Sequence, residues 1–200
     1  MHWDGPGIEA WHAWSPQQAG IKLAGCGANW CVVGGWAIDL YLGRQTRKHD
    51  DLEIAIPRAD FARVRNALRG YHLHAVGDGE VFALADDELP PRDKHQTWVL
   101  DPTAQQWRID VMLEPGDAHT WVCRRDESIQ APRAGMVGVR DGVPYLKPQA
   151  ALLFKAKYAR PKDEADFSVS APTLDAPARI WLRAALQRAH PQHPWIDQLA

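Results

Sequence analysis

The segment from Val32 to Ile56, VVGGWAIDLYLGRQTRKHDDLEIAI, restricts the fold more than any other part of the chain. An apolar run stops at Gly34-Gly35, a two-turn helical stretch follows and ends at Gly43, and after a polar link the residues alternate. In an extended strand, Leu52, Ile54 and Ile56 point to one side while Asp51, Glu53 and Ala55 point to the other. The order is therefore buried strand, glycine turn, short helix, and a strand with one acidic face.

The flanking segments extend this α/β pattern. Ser15, Pro16 and Gln18 make a helix start with a capping box. RADFARVRNALRG is amphipathic, with Phe61, Val64 and Leu68 inward and Gly70 as its stop. YHLHAVG and EVFALA read as strands around a GDG turn, and TWVLDP and QQWRIDVMLEP as a second hairpin. In the last strand Trp107, Ile109, Val111 and Leu113 share one face, leaving Arg108, Asp110 and Met112 on the other. Residues 116–142 show little pattern apart from the strand-like WVCRRD.

From Pro148 the character is helical, with a break at Pro161 and a long final helix in DAPARIWLRAALQRAH. The expected class is α/β (α+β): a mixed sheet flanked by helices in residues 1–143, then a small helical lobe in 144–200.

Composition limits the function. With 200 residues and a formal net charge of -2, the chain has no global basic field, which disfavours nucleic acid as a partner. Three cysteines without C-x-x-C spacing argue against a disulfide framework or zinc site and for a reducing, cytoplasmic setting. No apolar stretch approaches the roughly 20 residues that span a bilayer, and no signal-peptide pattern opens the chain, so neither secretion nor a membrane is expected. Ten tryptophans, with Trp3, Trp11 and Trp14 crowded near the start, are read as packing residues.

The acidic strand carries the chemistry. Residues two apart on a strand project side by side, about 6.5–7 Å between Cα atoms. Asp51 and Glu53 thus form a carboxylate pair that a shared cation would relieve, and Mg²⁺ prefers oxygen ligands. Asp110, on the polar face of another strand, adds a third carboxylate, enough for one or two ions in an in-line phosphoryl displacement. Gly34 and Gly35 let backbone N–H groups approach a phosphate at the start of a helix.

These residues resemble a known family. VVGGWAIDLYLGRQTRKHDDLEIAI is similar to the signature of the DNA polymerase β-like nucleotidyltransferases, and most similar to the branch of aminoglycoside 2''-adenylyltransferases and lincosamide nucleotidyltransferases. WRIDVML and LKPQAALLFKAKYARPKDEADF carry a weaker likeness. The resemblance implies a nucleotidyltransferase-type fold, with Gly34 and Gly35 at the triphosphate of ATP or another NTP. It also implies that Asp51 and Glu53 ligate Mg²⁺, and that Asp110 joins them as general base on the acceptor hydroxyl. Glu53 departs from the aspartate usual in the antibiotic-modifying branch, and its extra methylene is expected to weaken Mg²⁺ binding.

Lys155 and Lys162 are placed like phosphate-binding lysines of the family's second lobe, although Lys162 and Asp166 are also spaced to pair along a helix. Arg47 either contacts phosphate or braces Asp50. His72 with His74, and His190 with His193, lack a third ligand, while His49 stands near the acids.

The expected activity is transfer of a nucleoside monophosphate, AMP from ATP, to a hydroxyl of a small molecule such as an aminoglycoside- or lincosamide-like antibiotic. A protein hydroxyl is a second acceptor class, and a homodimer suits a family that builds sites near subunit or lobe interfaces. The rival reading is a catalytically weak or inactive nucleotide- or partner-binding module, such as a toxin–antitoxin component.

Overall fold

The computed structural model describes residues 5–200, so Trp3 lies outside the described residues. The first half contains α1 (Pro16–Lys22), β1 (Cys31–Val32), α2 (Gly34–Leu42), β2 (Glu53–Pro57), α3 (Phe61–Ala67), β3 (His72–Gly77), β4 (Glu80–Ala83), β5 (Gln96–Asp101) and β6 (Gln106–Glu114). The second half contains β7 (Thr120–Val122), β8 (Gln130–Pro132), α4 (Arg133–Met136), β9 (Val137–Arg140), β10 (Val143–Leu146), α5 (Pro148–Lys155), α6 (Pro161–Ser170), α7 (Ala176–Ala189) and α8 (Trp195–Gln198).

Eight strands make one mixed sheet in the order β4-β3-β5-β6-β2-β1-β10-β9, while β7 and β8 pair by themselves. β2 runs parallel to β6 and β1 to β10, and the other neighbours are antiparallel. The fold is the mixed α/β sheet with flanking helices that the sequence pattern predicts.

Local chemistry explains most of the elements. Ser15 caps α1 through the Gln18 amide, and the Gln18 side chain accepts from the Ser15 N–H, completing the predicted box. Gly43 ends α2 in the left-handed region at φ 72°. Asp78 and Gly79 both have positive φ, 55° and 79°, the geometry of a two-residue hairpin turn between β3 and β4. Leu52, Ile54, Ile56, Ile109 and Val111 are fully buried, so the alternation read from sequence has a helical layer to bury it. Full burial of each such side chain stabilises by roughly 1.5–3 kcal/mol. α2 packs on α5 and α6, and the buried cluster continues from the sheet into the C-terminal helices.

The unpatterned stretch 116–142 turns out to hold β7, β8, α4 and β9, each three or four residues long. β10 and α8 also escape the sequence reading. β10 contains Pro144, which ordinarily argues against a strand flanked on both sides, and α8 is a single turn. Among the described residues no helix is long and apolar enough to cross a membrane.

Candidate active site

The acids meet through strand register. Glu53 on β2 stands opposite Asp110 on β6 across the parallel pair, and the Asp110 N–H donates to the Leu52 carbonyl at 2.8 Å. Asp51 differs from expectation: it precedes β2 and is exposed, and its carbonyl accepts from the Trp36 indole N–H at 3.1 Å rather than from a neighbouring strand. Gly34 has φ 67°, and a Cβ there would collide with the Glu53 carboxylate. A Cβ on Gly35 would collide with the Arg47 guanidinium and the His49 ring. A side chain at either glycine would therefore have to move Glu53, Arg47 or His49 from its place against the turn.

Burial and the neighbouring Glu53 push the Asp110 carboxyl well above the usual carboxylate range, with Gln96 and Trp98 pulling it down by less. Gln96 Nε2 donates to Asp110 Oδ2 at 2.8 Å, whereas Oδ1 is buried without a hydrogen-bond partner among the described residues. Burial and then Asp51 raise Glu53, while Lys155, Lys162 and Arg160 lower it. Among the described residues no hydrogen bond or ion pair holds the Glu53 carboxylate, and no three acidic, histidine or cysteine side chains are already gathered as a metal cluster. Two adjacent carboxylates with raised pKa and an orphaned buried oxygen fit a hard divalent cation that keeps several waters. Asp51 lines the hollow beside Glu53 from the solvent side.

The cations are arranged differently from the sequence reading. Arg47 does not brace Asp50; it makes a two-point contact with Asp166 on α6, 3.1 Å at each oxygen. Lys155 is buried between Asp163 at 3.3 Å and Asp166 at 2.7 Å. Asp166 is therefore committed to Arg47 and Lys155, and the Lys162–Asp166 helix pair does not form. Lys162 is exposed, without an ion pair among the described residues, and lines the hollow that contains Asp51. Arg160, tied to Asp163 at 2.8 Å, faces the same space.

Two hollows of about 340 and 320 Å³ share Val33, Glu53, Lys155 and Arg160 and form one cleft. The first runs along Gly35, Trp36 and residues 47–51, and the second lies between the β2–β6 surface and α5. A larger hollow of about 620 Å³ sits at α3 and the β3–β4 hairpin and contains none of the predicted site residues.

The sequence model of the aminoglycoside-2''-adenylyltransferase family matches residues 20–121, which hold the glycine turn and all three acids. The chain belongs to this family. A 2''-aminoglycoside nucleotidyltransferase of Escherichia coli is 35% identical over 73 residues, covering 35% of this chain and 40% of that protein. One of Klebsiella pneumoniae is 34% identical over a segment of the same length. The matched segment therefore spans less than half the length of these relatives. The solution structure of the antibiotic-resistance factor ANT(2'')-Ia shares the fold at TM-score 0.52 and 21% identity, covering 88% of this chain and 91% of that one. The crystal structure of ANT(2'')-Ia in complex with adenylyl-2''-tobramycin gives TM-score 0.52 and 20% identity over 86% and 98%.

Some cleft contacts are set by the fold rather than by any local sequence signal. Gln96 reaches Asp110 only through the β5–β6 register. His49 is fixed by Asp39 at 2.5 Å and lies under Trp36, with ring centroids 4.4 Å apart; its neighbours come from α2 and become visible only once the chain folds back.

Proposed function

We propose that this protein transfers a nucleoside monophosphate, AMP from ATP, to a hydroxyl of a small molecule of the aminoglycoside class. The observation that carries the reading is Glu53 beside the Gly34-Gly35 turn, lining a cleft together with Asp51 and Lys162 and paired across the strands with the buried Asp110. Asp51, Glu53 and Asp110 would hold Mg²⁺, which when bound supplies neutralisation of the charge on the transferring phosphate.

The chain's own residues do the remainder. The turn brings backbone N–H groups to the triphosphate at the start of α2, and Lys162 and Arg160 attract it from the opposite wall. Arg47 and Lys155, rather than contacting phosphate, anchor α6 to the loop before β2 and to α5 so that this wall is fixed. Asp110, strengthened as a base by its burial, accepts the proton of the acceptor hydroxyl as that oxygen attacks the α-phosphorus and pyrophosphate leaves. Gln96 holds the Asp110 carboxylate in place for that transfer.

Thermal unfolding with each of four NTPs, with and without Mg²⁺, tests the donor site in wild type and in an Asp51→Asn, Glu53→Gln variant. A ligand at 100 times its dissociation constant stabilises by about 2.7 kcal/mol. The expected result is a Mg²⁺-dependent shift, largest with ATP and lost in the variant, followed by pyrophosphate release when an aminoglycoside is added. A folded wild-type protein that shows no shift with any nucleotide refutes the proposal.

A further inference from the structure

The cleft has a second wall whose composition the phosphate chemistry does not require. Tyr158 is 60% exposed in the turn between α5 and α6, where it lines the 320 Å³ hollow with Phe154 and Arg125. Its ring is surrounded by cations: Lys157 Nζ at 5.0 Å, Arg160 Cζ at 5.6 Å and Arg125 Cζ at 5.7 Å from the centroid. Arg125 also lies 5.2 Å from the Phe154 ring and donates to the Phe154 carbonyl, tying the loop after β7 to α5. Cations at this distance from a ring are attracted to its π face, so these contacts favour the observed placement of the ring.

The backbone gives an independent sign. Ala159, between Tyr158 and Arg160, has φ 42°, left-handed geometry that usually belongs to glycine or asparagine after a helix. A side chain here is strained, and strain retained in a turn bordering a reaction cleft is commonly tied to function. The same turn carries the ring and, on its other side, Arg160, which is tied to Asp163 and feels Glu53 electrostatically. An aromatic face and a cation that senses the acids are thus fixed at neighbouring positions on one rigid turn.

We infer that the Tyr158–Ala159–Arg160 turn is the platform for the donor's nucleobase, with Tyr158 stacking on the base while Arg160 faces the phosphates. This rests on the nucleotidyl-transfer reading above and adds to it a residue that recognises the nucleoside. Stacking is tolerant of base identity but grows with π surface, so purine nucleotides bind more tightly than pyrimidine ones.

The test compares three probes by titration calorimetry in Mg²⁺: ATP, UTP, and inorganic tripolyphosphate, which lacks a base. Full-length wild type, Tyr158→Ala and Tyr158→Phe are each first shown to melt cooperatively. Tyr158→Ala is expected to weaken ATP roughly tenfold or more while leaving tripolyphosphate within twofold, and Tyr158→Phe to keep both affinities. The advantage of ATP over UTP shrinks in Tyr158→Ala. Unchanged ATP affinity in Tyr158→Ala overturns the inference but leaves the transferase reading standing. An equal loss of ATP and tripolyphosphate also overturns it, since Tyr158 would then only prop the phosphate side. A wild-type protein that binds none of the probes overturns both readings.

Discussion

Glu53 and Asp110 face one another across the parallel β2–β6 pair, and the Glu53 carboxylate adds to burial in raising the cost of ionising Asp110. Replacing Asp110 by asparagine removes the base while leaving an isosteric group for Gln96 to bond. Turnover should fall by about 10²–10⁴, the usual contribution of a positioned acid–base group. Without ligand, the melting midpoint should not fall. A carboxyl whose folded pKa is raised favours the fold at low pH and loses that contribution as pH rises through the folded value. The variant's relative stability should therefore increase from acid toward neutral pH, as read from urea midpoints at both ends.

Gly34 and Gly70 both have positive φ, 67° and 91°, but only Gly34 has a side chain packed where its Cβ would stand. Alanine at either position costs about 1–2 kcal/mol from the left-handed backbone. Gly34→Ala must in addition displace the Glu53 carboxylate. Urea denaturation should show a loss in both variants, larger for Gly34→Ala, while turnover disappears in Gly34→Ala and persists in Gly70→Ala. Retained turnover in Gly34→Ala would show that the close approach at this turn is not needed.

Asp166 joins Arg47 and Lys155, and so ties the loop before the acidic strand to α5 and α6. Asp166→Asn leaves the buried Lys155 ammonium with Asp163 as its remaining carboxylate, so the loss should stay below the about 3–5 kcal/mol of a buried charge left without any partner. The partly exposed Arg47 half contributes the smaller share. A double-mutant cycle of Asp166→Asn with Arg47→Gln and with Lys155→Met should give the larger coupling for Lys155. Near-zero coupling for both would mean the network does not hold the wall.

How much of this is legible in the sequence depends on range. Gly34, Gly35 and Glu53 lie within 20 residues of each other, in segments whose periodicity is strong, so the strand, turn, helix and acidic strand are readable directly. Asp110 is readable as a polar-face residue of β6 because Trp107, Ile109, Val111 and Leu113 alternate around it. The partners of Arg47 and Lys155 are not. Arg47 contacts a residue 119 positions away, and nothing near position 47 distinguishes Asp166 from the adjacent Asp50. Tyr158 resembles any exposed helix-end aromatic until Arg125, from the unpatterned 116–142 stretch, is seen beside it.

His74 on β3 is 3% exposed, with its ring edge-on to Trp107 at 5.2 Å. Burial holds its imidazole below the ordinary 6.5, at about 4, so the folded protein keeps it neutral where the unfolded chain protonates. The sign follows directly. Its contribution to stability is complete above pH 6.5 and is lost as pH falls toward 4, because the unfolded state binds the extra proton. One proton gives a slope of up to about 1.4 kcal/mol per pH unit between the two pKa values. His74→Phe keeps an aromatic partner for Trp107 and removes the titration. Urea unfolding from pH 7 to 4.5 should show a steeper decline for wild type than for this variant. Parallel declines would place the acid sensitivity elsewhere, in groups that His74→Phe leaves untouched.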